Sequence, residues 1–148
     1  MKKPRTKLMP FFIVAFFVVS LALAQKNDVA QRKHRPSTYA ALSEAPQKAR
    51  ARANPFEGNA SEATAGGKLF DQHCAECHGP KAGGTRQGPS LLRPEVQKTT
   101  PGTLFWILTN GVVRRGMPVW SKLPEQERWQ IVTFLRSINT HSTTPEIQ

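Results

Sequence analysis

The only two cysteines of this 148-residue chain stand two positions apart in His73-Cys74-Ala75-Glu76-Cys77-His78-Gly79, with a histidine directly behind the second. Two thiols and an imidazole at that spacing suit four chemistries: a disulfide, a redox-active dithiol, part of a zinc site, or the covalent attachment of a haem. A disulfide across two residues closes a very small loop and removes little unfolded-state entropy, so it is a poor staple. A thioredoxin-like dithiol needs its Cys-x-x-Cys between a strand and a helix, and no stretch here alternates like a strand. Structural zinc wants four protein ligands, whereas Cys74, Cys77 and one histidine supply three. Haem attachment needs just what is present: the thiols of Cys74 and Cys77 add across two vinyl groups, and His78 reaches the iron from one side.

The opposite iron face needs a ligand or an open site. Beyond residue 24 a single methionine remains, Met117, in Arg114-Arg115-Gly116-Met117-Pro118, a Gly-Met-Pro turn and an odd place for a packing methionine. His plus Met is the ligation of electron-carrying haems, so His78 and Met117 are the expected metal ligands. Of the other histidines, His73 reads as a surface or propionate-side group, and His34 and His141 as solvated side chains, each an alternative to Met117 as iron ligand. Trp106, Trp120 and Trp129 are expected as cavity walls, and Trp106 as the cofactor-binding residue whose indole N–H reaches a haem propionate.

These residues need helices to carry them. Gly66, Leu69, Phe70 and Cys74 recur at three- and four-residue intervals, which predicts a helix over 63–74. Thr100-Pro101 is a helix start, Leu104, Phe105, Leu108 and Val112 continue a face, and Asn110-Gly111 is a stop. A third helix begins at Pro124, with Glu125 and Glu127 in a first turn that favours carboxylates, and Ile131, Phe134, Leu135 and Ile138 form its face. Between the first two, GPKAGGTRQGPS is too dense in Gly and Pro for anything but loop, and it lacks the Gly-Lys-Ser/Thr ending of a phosphate loop.

Lys2, Lys3, Arg5 and Lys7, the apolar run from Phe11 to Leu23 and Ala22-Leu23-Ala24 read as a signal peptide or a membrane anchor over 1–24, which places the remainder outside the cytoplasm. Four of the 21 basic residues lie in that segment, leaving 17 against 10 acidic ones. Residues 25–60 are poor in aliphatic side chains and rich in Lys, Arg, Ala, Pro and Gln, and read as a flexible basic linker. Its charges suit solvent or anionic lipid headgroups, with no nucleic acid as partner. Asn59-Ala60-Ser61 matches a glycosylation sequon but carries no weight without a eukaryotic host. One small domain follows over 61–140, then a tail over 141–148.

That domain resembles a class I monohaem cytochrome c. The resemblance rests on Gly66, Leu69 and Phe70 running into Cys74, Cys77 and His78, on Gly88-Pro89-Ser90-Leu91, and on Gly116-Met117-Pro118. It implies an all-α fold around a covalently bound haem c with its iron, one per chain. By the same resemblance Gly66 lets the last helix cross closely, with Phe134 at the crossing where many members carry tyrosine. Pro89 is then the cofactor-binding residue whose carbonyl fixes His78. The function so implied is that of a periplasmic or membrane-tethered electron carrier, not an enzyme, passing single electrons between redox proteins. Arg114 and Arg115 would lie near the exposed haem edge, where an acidic partner docks. A ligand-binding or catalytic haem domain, and the electron-delivering subunit of a larger dehydrogenase or oxidase complex, are the alternatives.

Overall fold

A computed structural model describes residues 37–140. The segment expected as signal or anchor, the first part of the expected linker, His34, and the tail over 141–148 with His141 lie outside the described residues. What is described is helical, and its only β feature is one antiparallel bridge, Val112 to Met117. No helix among the described residues is long and apolar enough to cross a membrane.

Helix α1 (Gln47–Arg50) is a single turn that follows a 3-10 turn at Ala40–Glu44. Helix α2 (Ala60–His73) starts three residues earlier than the periodicity predicts, because the Asn59 side chain accepts from the backbone N–H groups of Ser61 and Glu62. The sequon asparagine is therefore a helix cap, a role that satisfies two otherwise unpaired donors. The single-turn helices α3 (Ala75–His78) and α4 (Pro94–Gln97) come next. Helix α5 (Pro101–Asn110) is capped by the Thr100 hydroxyl, which accepts from Thr103 N–H, and α6 (Glu125–Thr140) is the last helix of the described residues.

Helices α2 and α6 cross at Gly66. A Cβ added there would sit 1.9 Å from the Gln130 carbonyl oxygen, so only hydrogen fits. One turn on, the rings of Phe70 and Phe134 meet with centroids 5.2 Å apart. Phe70, Ile131 and Val132 are fully buried at this crossing, and burying a side chain of that size contributes roughly 1.5–3 kcal/mol. Gln130 Nε2 donates to Glu62 at 2.7 Å on the outer side of the same contact.

The expectation of a flexible linker over 25–60 is corrected from Thr38 onward, where the chain belongs to the same compact unit as the helices. Ala41, Ala45 and Asn54 are buried. The α1 backbone lies against α5 so closely that a Cβ on Gly102 would come within 2.1 Å of the Ala49 carbonyl oxygen. Asn54 Nδ2 donates to the Thr133 hydroxyl at 2.9 Å. The Arg52 guanidinium covers the rings of Phe105 (4.4 Å to the centroid) and Trp129 (5.2 Å) and bonds Glu125 at 2.5 Å. Counting aliphatic residues misses this segment because it is held by small side chains that permit backbone approach, by a buried amide and by a cation over aromatic faces.

Candidate haem site

The Cys-x-x-Cys-His motif occupies the turn where α2 ends and α3 begins. Cys74 N–H still bonds the Phe70 carbonyl of α2 at 2.8 Å, while His78 N–H bonds back to the Cys74 carbonyl at 2.9 Å. The chain then leaves the helix through Gly79, at φ +78°, a left-handed position that favours glycine. Cys74 is buried and Cys77 exposed, and both are free thiols. Burial, then the neighbouring Cys77, pushes the Cys74 thiol up to about 11. Among the described residues no group of three or more His, Cys, Asp or Glu side chains converges to hold a metal ion.

His78 is oriented by the loop behind it. Its Nδ1 lies 2.8 Å from the Pro89 carbonyl oxygen. A carbonyl only accepts, so the proton of that bond sits on Nδ1 and the lone pair on Nε2. A ligating imidazole needs this kind of outer partner to fix its tautomer and ring plane. The loop is tied beneath the motif by the Thr85 hydroxyl, which donates to the Cys77 carbonyl at 2.5 Å, and by Leu91 N–H, which donates to the Ala82 carbonyl at 2.8 Å. Gly88 lets it close: a Cβ there would lie 2.9 Å from the Cys77 carbonyl oxygen and 3.2 Å from the His78 ring.

Met117 approaches from the connection between α5 and α6. The Val112–Met117 bridge is doubly hydrogen-bonded, at 3.0 and 3.3 Å, and Trp120 N–H donates to the α5 carbonyl of Leu108 at 2.9 Å. The turn inside the bridge closes through Gly116 at φ +87°. Gly111 lets the Met117-Pro118 strand lie against the end of α5, since a Cβ there would come within 2.7 Å of the Pro118 carbonyl. The sequence marks all of this as a simple turn, and the pairing across it is new information.

Cys74, Cys77, His78, Pro89 and Met117 all line one cavity of about 600 Å³, a size within the range of organic-cofactor sites. Its walls are apolar: Phe70, Leu104, Ile107, Leu108, Ile131 and Leu135 come from α2, α5 and α6. Two thiols with a His beside them, a Met in the same cavity and an apolar lining fit a covalently attached haem. Arg115 stands at the rim and lines the cavity, whereas Arg114 is exposed outside it.

Trp106, expected on a haem propionate, is not among the residues that line the cavity. Leu104, Ile107 and Leu108 recur at three and four residues and turn one face of α5 to the cavity, which leaves Trp106, two residues from Leu104, pointing elsewhere. Trp129 is likewise outside the cavity and stacks on Phe105 at 4.1 Å. Trp120 is the indole that does line it, 5.3 Å from the ring of His73, which sits at the cavity's edge. The sequence reading also missed Tyr39, Ala41 and Leu42 in the wall. The one available signal was that Tyr39, the chain's single tyrosine, stands in an otherwise polar, Ala-rich segment.

No curated protein matches the sequence. A family model described as Cytochrome C oxidase, cbb3-type, subunit III matches residues 61–135, which span α2 to α6 and every residue of the motif, the Pro89 loop and the Met117 turn. About half of the chain is matched, over a helical domain whose cavity gathers Cys74, Cys77 and His78, and the chain therefore belongs to that family and carries a c-type cytochrome domain.

Proposed function

We propose that this chain is a periplasmic or membrane-tethered electron carrier that holds one haem c through Cys74 and Cys77, with the iron between His78 and Met117. The observation that carries the proposal is the shared cavity: His78, with its lone pair left on Nε2 by the Pro89 bond, and Met117, the one methionine beyond residue 24, line the same space. The bound haem supplies a one-electron ferric/ferrous couple. His78 would give a basic nitrogen, its other ring N–H held by Pro89, and the Met117 thioether, neutral and soft, would favour the reduced iron and keep outside ligands away. The apolar walls keep water off, which limits the charge reorganisation that accompanies electron transfer. Arg115 at the rim, with Arg114 beside it, gives an acidic partner a place to dock.

The family's printed description, an oxidase subunit, favours a second reading compatible with the first: delivery of electrons within a larger oxidase complex. The test of the common claim is electrophoresis of the purified protein under denaturing conditions with a haem stain. The stain should follow the polypeptide in the wild type and be lost when Cys74 and Cys77 are both changed to Ala. Haem that extracts freely into acid-acetone from the wild type would overturn the attachment.

A further inference from the structure

Tyr39 precedes the family-matched region, and the electron-transfer reading makes no use of it. Its hydroxyl donates to the Ser90 carbonyl at 2.9 Å, across 51 residues of sequence. Ser90 directly follows Pro89, whose carbonyl accepts from His78 Nδ1 at 2.8 Å. The Tyr39 ring, half-buried, lines the cavity together with Ala41 and Leu42. The two carbonyls are separated by only two soft torsions, φ and ψ of Ser90, because the peptide between them is planar. The ring of Pro89 fixes its own φ as well. Pinning the Ser90 oxygen therefore limits where the Pro89 oxygen can point.

We propose that Tyr39 is a positioning residue for the iron site: its hydroxyl, delivered by the segment over 38–52, holds the Ser90 carbonyl and through it keeps the Pro89 carbonyl on His78 Nδ1. The proposal rests on His78 being the proximal ligand. Its consequence is electronic. A firm acceptor at Nδ1 makes the imidazole a stronger donor and favours ferric iron, so the segment ahead of the cytochrome domain lowers the potential. The segment is braced for this task at its other end, where Arg52 is fixed over Phe105 and Trp129 and bonded to Glu125.

The test is Tyr39→Phe in the full-length haem protein, which keeps the ring and removes the O–H. Two quantities are read: solvent exchange of His78 Nδ1–H by proton NMR, and the midpoint potential. Losing one hydrogen bond should speed that exchange by about three- to tenfold and raise the potential. Leu42→Ala thins the same wall without touching the hydroxyl, and should leave the exchange within about twofold of wild type. If Tyr39→Phe changes neither quantity while the wild type shows the resonances of an iron-bound His78, the positioning role is wrong and the ligation stands. Equal acceleration in both variants would also overturn it, since general loosening of the wall would then be the cause. A wild type without an iron-bound His78 signal would overturn ligation and positioning together.

Discussion

Changing Gly66 to Ala tests the crossing on which the cavity depends. The added Cβ would lie 1.9 Å from the Gln130 carbonyl oxygen and 2.4 Å from its carbon, where ordinary contact begins at 3.4 Å. Both are backbone atoms in the middle of α6, so no side chain can swing aside and the two helices must part by more than an ångström. Overpacking of this kind costs about 1–3 kcal/mol and sometimes more. A gap of 0.5–1 Å opened around Phe70 and Phe134 forfeits roughly a quarter to a half of each contact there. Against this stands the helix propensity of Ala over Gly, about 1 kcal/mol. The upper part of the overpacking range applies because the obstacle is rigid, so the net loss is about 2 kcal/mol, or roughly 8–16 °C in Tm for a domain of this size. Thermal melting of the haem-loaded protein reads this directly. Gly83→Ala is the control, since a Cβ there meets nothing within 4 Å. A Gly66→Ala protein that melts with the wild type, or above it, would refute the close crossing.

The segment over 38–52 should loosen in acid. The Glu125 carboxyl is held below its ordinary 4.5 mainly by the hydrogen bond from Arg52, then by that from Trp129 Nε1. A depressed carboxylate contributes its stability above the unfolded value and loses it as pH falls through the folded one. Amide exchange over α1, referenced to α6, should therefore accelerate as pH drops below 4.5, by a small amount because the pair is exposed and screened. Glu125→Gln should remove that step. Gln97, buried, donates through Nε2 to the carbonyls of Leu91 (2.7 Å) and Leu135 (3.2 Å). Gln97→Leu should cost about 1–3 kcal/mol in urea unfolding by leaving those carbonyls short of a donor, and an unchanged midpoint would mean that water takes over both bonds.

Those parts of the fold that rest on local chemistry were legible in the sequence, namely the Thr100-Pro101 start of α5 and the Gly111 stop, whereas the crossing at Gly66, Phe70 and Phe134 was expected from the family resemblance alone. The placement of the motif at a helix end, with a Gly-rich loop behind it and a Met turn elsewhere, was legible for the same reason. What escaped was set by tertiary contact. Asn59 carries a sequon and a cap signal at once, and only the backbone geometry decides between them. Trp106 and Trp120 are alike as residues, yet Trp120, in the connection after α5, lines the cavity and Trp106, on α5, does not. The segment over 38–52 has a single aliphatic side chain larger than alanine, Leu42, yet it packs because Gly102 has no Cβ and Arg52 finds two aromatic faces, neither of which shows in local composition.

The central claim, an iron held between His78 and Met117 in an electron-carrying site, is tested most directly by the far-red absorption of the ferric protein. A weak sulfur-to-iron charge-transfer band should be present in the wild type and absent in Met117→Ala, whose ferrous form should bind carbon monoxide readily and whose potential should fall as the neutral thioether is lost. A wild type that lacks the band and binds carbon monoxide as rapidly as Met117→Ala would contradict the account and return the site to a ligand-binding or catalytic haem.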